Sequence, residues 1–468
     1  MDARRRRFEE YVSVISEHLG HADRVLPFRG YCTGLMLPGE RKSVEPMAAR
    51  VAPGAVRSMH QRLHHFVADA PWSDAAVLGV VRSHVLDTVR KAAGTPEVLI
   101  VDDTGFPKQG THSVGVARQY CGQLGKQDNC QVAVSISLAN EQFSVPVGYQ
   151  LYLPKDWNED VQRRQKAGVP ADVAFATKPQ IALRLIDAAR VTGPGAPTVV
   201  TDAGYGIDTA FRDQLTARQL RYAVGITKAV KVWPEGAAPL PPAAWSGQGP
   251  KPKLLRRDAE HQPVSVKALA GMLAPRQWKT VTWREGTNQA LSSRFAAVRV
   301  RCAHRDYWRR ERRGEEWLLI EWPEHEAEPI KYFLSTLAAT TSLPELVRVT
   351  KLRWRIERDY QELKQEFGLD HFEGRGWRGF HHHASLCVVA YAFLLTERLA
   401  YPKKLCAIRF SARSLPYPPT SGRAAPLRRQ RHVPDSITTL RLELAAALIE
   451  RLPRCPCCGK SSDFLLTQ

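Results

Sequence analysis

No uninterrupted apolar run reaches the roughly 18 residues that a membrane-spanning helix needs, so the chain is expected to have no membrane span. The start, Met-Asp-Ala followed by Arg4 to Arg7, lacks the apolar core of a secretory signal and reads as the beginning of a helix. Paired cysteines are missing too. The nine are scattered at 32, 121, 130, 302, 387, 406, 455, 457 and 458, an odd number without the spacing of a disulfide framework, which suits a reducing cytoplasm. Cys455 and Cys458 form one C-x2-C pair with no second pair near it in sequence. A zinc site would need about four ligands, with Cys406 or His432 as candidates to complete it, and structural thiols are the other reading. Acidic residues are also short, 47 against 67 Lys and Arg for a formal charge of +20. That balance is permissive for a polyanionic partner, nucleic acid above all, and implies salt-dependent affinity.

What is present is strongly patterned. Residues 1–94 carry helical periodicity broken at Pro27, Gly30, Pro38-Gly39 and Pro53-Gly54, and end in the break Ala93-Gly94-Thr95-Pro96. One predicted helix there gathers Arg57, His60, Arg62, His64 and His65, a composition that suits a DNA-reading domain and equally a solvated face. From 97 onward the pattern gives a strand to Asp103, a Gly-rich turn with Lys108, and strands near 128–138 and 143–152. A helix over 178–191, a strand to Asp202, a helix over 207–218 and a strand near 220–226 follow. Three successive strands followed by strand–helix alternation predict an α/β fold, a mixed sheet flanked by helices. The segment 228–330 is rich in Pro, Trp, Val and Arg, with strand-like runs at 279–283, 293–300 and 316–321, and reads as a β-rich insertion.

Two apolar strands end in aspartate, Val98-Leu99-Ile100-Val101-Asp102-Asp103-Thr104 and Thr198-Val199-Val200-Thr201-Asp202. A third acid, Glu357, stands between Arg353 and Lys364. At about 100° per residue Arg353, Glu357, Tyr360 and Lys364 share a helical stripe, beside an apolar stripe of Val349, Leu352, Ile356, Leu363 and Phe367. Taken alone, the charged stripe is also what a solvated helix looks like. Together with two strand aspartates it forms a constellation of three carboxylates, the donor set for two-metal phosphoryl transfer. Mg²⁺ takes oxygen ligands, and two ions about 3.5–4 Å apart clamp the attacking and leaving oxygens.

On these residues the chain resembles the DDE transposases of bacterial insertion sequences, in the branch with a Y-x2-R-x3-E-x6-K signature and a ribonuclease-H-like catalytic domain. Arg353, Glu357 and Lys364 match the signature at its spacings, whereas its tyrosine is replaced by Thr350. The family's first aspartate usually precedes Thr, which selects Asp103 over Asp102, and Thr-Asp-Ala-Gly-Tyr-Gly at 201–206 matches the second at Asp202. The resemblance implies that Asp103, Asp202 and Glu357 bind two Mg²⁺, with Mn²⁺ able to substitute. It also implies that Arg353 and Lys364 hold phosphates, and that Tyr332, on the strand before the last helix, stacks a flipped base. Lys108 and Arg375 are added as candidate DNA contacts. The implied activity is cutting of element ends and joining to target DNA. The implied partners are double-stranded DNA, both terminal inverted repeats and target, and a second copy in the synaptic complex, with no membrane and a bacterial, nucleoid-associated cytoplasmic setting. A transposase-derived DNA-binding protein that no longer cuts and a ribonuclease-H-like nuclease are the alternatives.

The catalytic domain is expected over 95–400. Glu373, in Asp370-His371-Phe372-Glu373, is a rival third acid without the Arg and Lys framing, and His381-His382-His383 open an apolar helix. Adjacent helical histidines point about 100° apart and cannot share one metal, so a helix start near DNA backbone is expected there. Residues 401–468 read as a basic arm, free of Asp and Glu from Tyr401 to Arg431, followed by a short helix over 436–452 and the Cys-rich tail.

Overall fold

In a computed structural model, residues 2–189, 195–285, 290–401, 435–457 and 459 are described. The basic arm and the residues proposed to complete a zinc site, Cys406, His432 and Cys458, fall outside them. The chain divides into two compact units. One comprises Met1–Gly94, Glu362–Glu373 and His382–Gln468, the other Thr95–Gln361 and Gly374–His381. The sequence reading ran the catalytic domain from 95 to 400 around a β-rich insertion, whereas the segments Glu362–Glu373 and His382–Ala400 group with the amino-terminal helices.

The first unit is helical, with helices Asp2–Ser16, Val25–Met36, Val44–Val51, Val56–Ala68 and Asp74–Ala93, and Ile437–Ile449 near the other end of the chain. The helix Trp377–Ala400 is long and apolar enough to cross a membrane by composition, yet most of it is buried inside the protein. Its histidines and Ser385 interrupt the apolar run, which leaves no uninterrupted stretch of membrane-spanning length. His382 and His383 are buried rather than facing a ligand: the rings bond to the carbonyls of Val67 and Trp72, and to Tyr31 and the Gly368 carbonyl. The expectation that this histidine run meets DNA is therefore corrected. Arg4 and Arg7 of the basic start are likewise spent internally, pairing with the buried Glu397.

The second unit is built on β1 (Val98–Pro107), β2 (Ala117–Cys121), β3 (Lys126–Ala139), β4 (Ser144–Leu151), β5 (Thr198–Thr201) and β6 (Tyr222–Ile226). These continue into β7 (Lys231–Trp233), β8 (Val264–Ser265), β9 (Lys279–Glu285), β10 (Ala290–Cys302), β11 (Glu316–Trp322) and β12 (Lys331–Ser335). Across β4-β3-β1-β5-β6, β3 is antiparallel to both neighbours while β5 and β6 run parallel to β1. Three antiparallel strands followed by two parallel ones, flanked by helices, is the ribonuclease-H-like mixed sheet. The β-rich segment does not stand apart: β12 pairs antiparallel with β6, and β11, β10, β7 and β8 extend the same sheet.

Strand periodicity decides which side chains face which helix. Val98, Ile100 and Val200 share a buried cluster with Leu346, Val349, Leu352 and Ile356, so the helices Leu343–Lys351 and Trp354–Phe367 cover that face. The other face belongs to the helix Lys178–Ala188, whose Leu185 packs over Gly148 and Ile136.

Candidate active site

β1 does not end at its aspartates. It runs on to Pro107 because β3 is long enough to pair with Asp102 through Pro107, whereas β5 stops at Thr201. Asp202 follows directly, next in register to Asp102, since Val101 pairs with Thr201. The even positions of both strands face the helix pair. Asp102 therefore projects with Val98 and Ile100 toward that helix pair, and Asp103 projects to the opposite face.

The contacts follow this alternation. Arg353 donates from one guanidinium nitrogen to Asp102 Oδ2 (2.7 Å) and from the other to Glu357 Oε1 (2.5 Å), bridging strand and helix. Burial pushes the Asp102 carboxyl up to about 7; the Arg353 cation opposes this, and the like charge of Asp202 adds to it. Tyr360 lies beside them, its hydroxyl 2.7 Å from Ser135 Oγ, the residue paired with Asp102 across β3. Its phenol is held far above the ordinary range, by burial first and then by Asp102.

Asp103 has a different environment. Its Oδ2 accepts from Lys178 Nζ at 2.9 Å and lies 3.5 Å from the Tyr205 hydroxyl. Asp202 caps the short helix Ala203–Gly206, its Oδ1 accepting from Gly204 N (2.9 Å) and Tyr205 N (3.4 Å). That turn lies directly on β6. A Cβ at Gly206 would overlap the Gly225 carbonyl, and one at Gly225 would come within 2.8 Å of Ala203 N, so two glycines fix where Asp202 stands.

Arg353 belongs to a turn between two helices, Leu343–Lys351 and Trp354–Phe367, and not to one continuous helix with Glu357. The Thr350 hydroxyl donates back to the Leu346 carbonyl (2.7 Å), the kind of bond that bends helices, and Ile356 N reaches Arg353 O in a tightened turn. Arg353 still meets Glu357, because the turn keeps it one helical turn away.

Asp202, Arg353 and Glu357 line an open cleft of about 460 Å³ with Tyr332, Thr350 and Lys351. Tyr332 is only 3% exposed, and its hydroxyl has no hydrogen-bond partner among the described residues. The cleft wall carries Trp283 and Trp354, with Lys351 Nζ 4.2 Å from the centre of the Trp283 ring and the Arg284 guanidinium 3.9 Å above Trp354. Lys351 is held by both oxygens of the buried Glu321 at 2.7 Å. None of Lys351, Trp283, Trp354 or Glu321 was singled out from the sequence. Each is a lone residue in a strand or helix pattern, and only the fold gathers them.

The remaining candidates are not on this cleft. Lys108 follows the end of β1, its backbone fastened to Asn129. Arg375 is exposed, with its carbonyl accepting from Val114 N. Lys364 is half-buried two turns beyond Glu357. Glu373 belongs to the first unit, paired with Arg41 at 2.5 Å. Among the described residues, no three His, Cys, Asp or Glu side chains stand close enough to hold one ion. Around Asp102 and Glu357 it is a guanidinium that occupies the position between the carboxylates.

Residues 15–290 match the family described as DDE superfamily endonuclease, a span that contains Asp102, Asp103 and Asp202 and ends before Glu357. The chain is 35% identical over 167 residues to a probable transposase for insertion sequence element IS701 from Microchaete diplosiphon. That match covers 36% of this chain and only 40% of the relative. A solved structure, the cryo-EM piggyBac transposase synaptic complex with hairpin DNA, aligns over 82% of this chain and 74% of its own, at 10% identity and a TM-score of 0.35.

Proposed function

Because the chain belongs to the DDE superfamily endonucleases, we propose that it is the transposase of an insertion sequence, cutting the ends of its element and joining them to target DNA. The observation that carries this reading is the convergence of Asp102, Asp202 and Glu357 around Arg353. The family implies a divalent metal, and the donor chemistry suits one, although the three carboxylates would have to draw closer than they stand here to share an ion. The donors are hard carboxylate oxygens, and a cationic group already lies between two of them, so the position is one that positive charge stabilises. Asp102, Asp202 and Glu357 would hold Mg²⁺, two ions in the full site. When bound, the metal supplies an activated water and Lewis-acid stabilisation of the phosphate.

Asp102 takes the role of first acid in this proposal, in place of Asp103. It faces Arg353 and Asp202, while Asp103 is engaged with Lys178 on the other side of the sheet. Asp103 would then brace the strand against the helix Lys178–Ala188 and against Tyr205, next to the Asp202 turn. Arg353 orients Glu357, and once the carboxylates are otherwise neutralised it can turn to a DNA phosphate, which Lys351 at the cleft edge would also meet. The substrate would be double-stranded DNA carrying the element's inverted repeats, handled by two copies of the chain in the bacterial cytoplasm.

The test is Mg²⁺-dependent cleavage and joining of a labelled fragment bearing the gene's own flanking ends. Wild type is expected to nick and join. Asp102→Asn, Asp202→Asn and Glu357→Gln should each abolish cutting while retaining DNA affinity, which rests mainly on Lys and Arg. Asp103→Asn should cut, more slowly. Loss of cutting in Asp103→Asn with activity kept in Asp102→Asn would reverse the assignment of the two neighbours, and nicks without joined products would leave a nuclease.

A further inference from the structure

The strand β10 begins at the cleft, where Leu291 lines the wall, and ends at Cys302; at about 3.3 Å per residue the far end lies roughly 36 Å away. There the connection to β11 carries His304-Arg305-Asp306-Tyr307-Trp308-Arg309-Arg310-Glu311-Arg312-Arg313. Trp308 is 60% exposed and Tyr307 42%, edge to face with ring centres 5.6 Å apart. Large aromatics are ordinarily buried, and a loose loop can leave one outside. This loop is not loose. The buried Asp306 accepts from Trp233 Nε1 (2.6 Å) and Arg257 Nε (2.9 Å), Arg313 pairs with Asp213 (2.5 Å), and Leu255 N donates to the Arg309 carbonyl (2.9 Å). An anchored frame thus holds the two rings in solvent, on a loop that also exposes Arg305, Arg310 and Arg312, with the Arg305 guanidinium 5.1 Å from the centre of the Trp308 ring.

We propose that the tip of the β10–β11 hairpin is a second nucleic-acid contact, in which Trp308 and Tyr307 stack on exposed bases of a single DNA strand and the surrounding arginines hold its phosphates. The chemistry is that of single-strand stacking platforms: π-faces accept any unpaired base, and guanidinium groups accept the backbone. A duplex keeps its bases stacked on each other and offers the rings little, so the proposal favours the single strand. It rests on the reading of DNA as substrate, and places an anchoring point about a strand's length from the cleft.

The experiment compares a fluorescently labelled single-stranded oligonucleotide with the same sequence as duplex, titrated with wild type, Trp308→Ala, Trp308→Phe and Tyr307→Ala. Trp308→Ala should weaken single-strand binding by about tenfold, within the range of one base stacked on an aromatic, with Phe restoring most of it and duplex affinity little changed. An unchanged single-strand affinity, or an equal loss on single strand and duplex, would overturn stacking at the tip. Trp308 is exposed, so its replacement should leave the melting temperature unaltered, which checks the fold. Metal-dependent cleavage by wild type is measured alongside: selective single-strand loss without any wild-type cutting would sink the transposase reading and leave the tip proposal standing, and cutting with no selective loss would do the reverse.

Discussion

Arg353 holds Asp102 and Glu357 at once, and that double contact ties the strand acid to the helix acid. Arg353→Gln should therefore untie Glu357 and remove the cation that favours the charged form of Asp102. DNA cleavage is expected to fall at least tenfold, and single-turnover rates would check it. Which of two adjacent aspartates faces the helix was not legible in the sequence, because Val98, Leu99, Ile100 and Val101 are apolar at every position and mark no face. The signature Arg, Glu and Lys could be read by spacing alone, and their different surroundings could not. A separate residue contributes a pH dependence in the first unit. Lys42 is buried, donating to the carbonyls of Leu35 and Leu37, and burial pushes its ammonium down to about 6. The unfolded chain then binds a proton that the folded chain does not between about pH 6 and 10, so stability rises with pH across that window. Wild type should gain on Lys42→Met by roughly 1.4 kcal/mol per pH unit at most, read from denaturant unfolding at pH 7 and pH 9.

At the scale of elements, the site depends on a strand, a four-residue turn and a helix kept in one register. Gly225→Ala should push the Ala203–Gly206 turn off β6 and carry Asp202 with it, costing about 1–3 kcal/mol by overpacking. Cleavage should suffer more than stability does; equal activity at reduced stability would show that the turn absorbs the added methyl. Most strands and helices were readable from period and breakers, including β3, β4, β10, β11 and the helix Lys178–Ala188, to within a few residues. The short β2, β7 and β8 were not: Ala117–Cys121, Lys231–Trp233 and Val264–Ser265 lack the apolar run that marks the equally short β5 and β6. The break between Leu343–Lys351 and Trp354–Phe367 was also hidden. The apolar stripe runs on intact on both sides of it, so the pattern carries no sign of the turn at Leu352 and Arg353.

Across the whole molecule, +20 is a net figure, and the cations that a ligand can meet are fewer than the 67 Lys and Arg of the sequence. Arg4 and Arg7 neutralise Glu397, Arg348 is shared among Glu97, Glu141 and Glu345, and Arg313 answers Asp213. Composition could not tell internal cations from external ones. DNA affinity should still fall steeply with salt. Replacing Arg310 and Arg312 together with Ala should lower the log–log slope by about two if both touch phosphate, measured by binding titrations over a series of KCl concentrations. The paired aspartates on β1 carry a last consequence. A strand counts in twos, so a one-residue slip of β1 against its neighbours exchanges the two acids without leaving the helix face empty. It would strand Lys178 behind, and it would bring a side chain to the place of Gly105, where a Cβ would meet Cys121 Sγ at 2.6 Å. Asp102 and Asp103 are thus a parity pair of which the glycine admits one order, and the lysine marks the acid that is turned away.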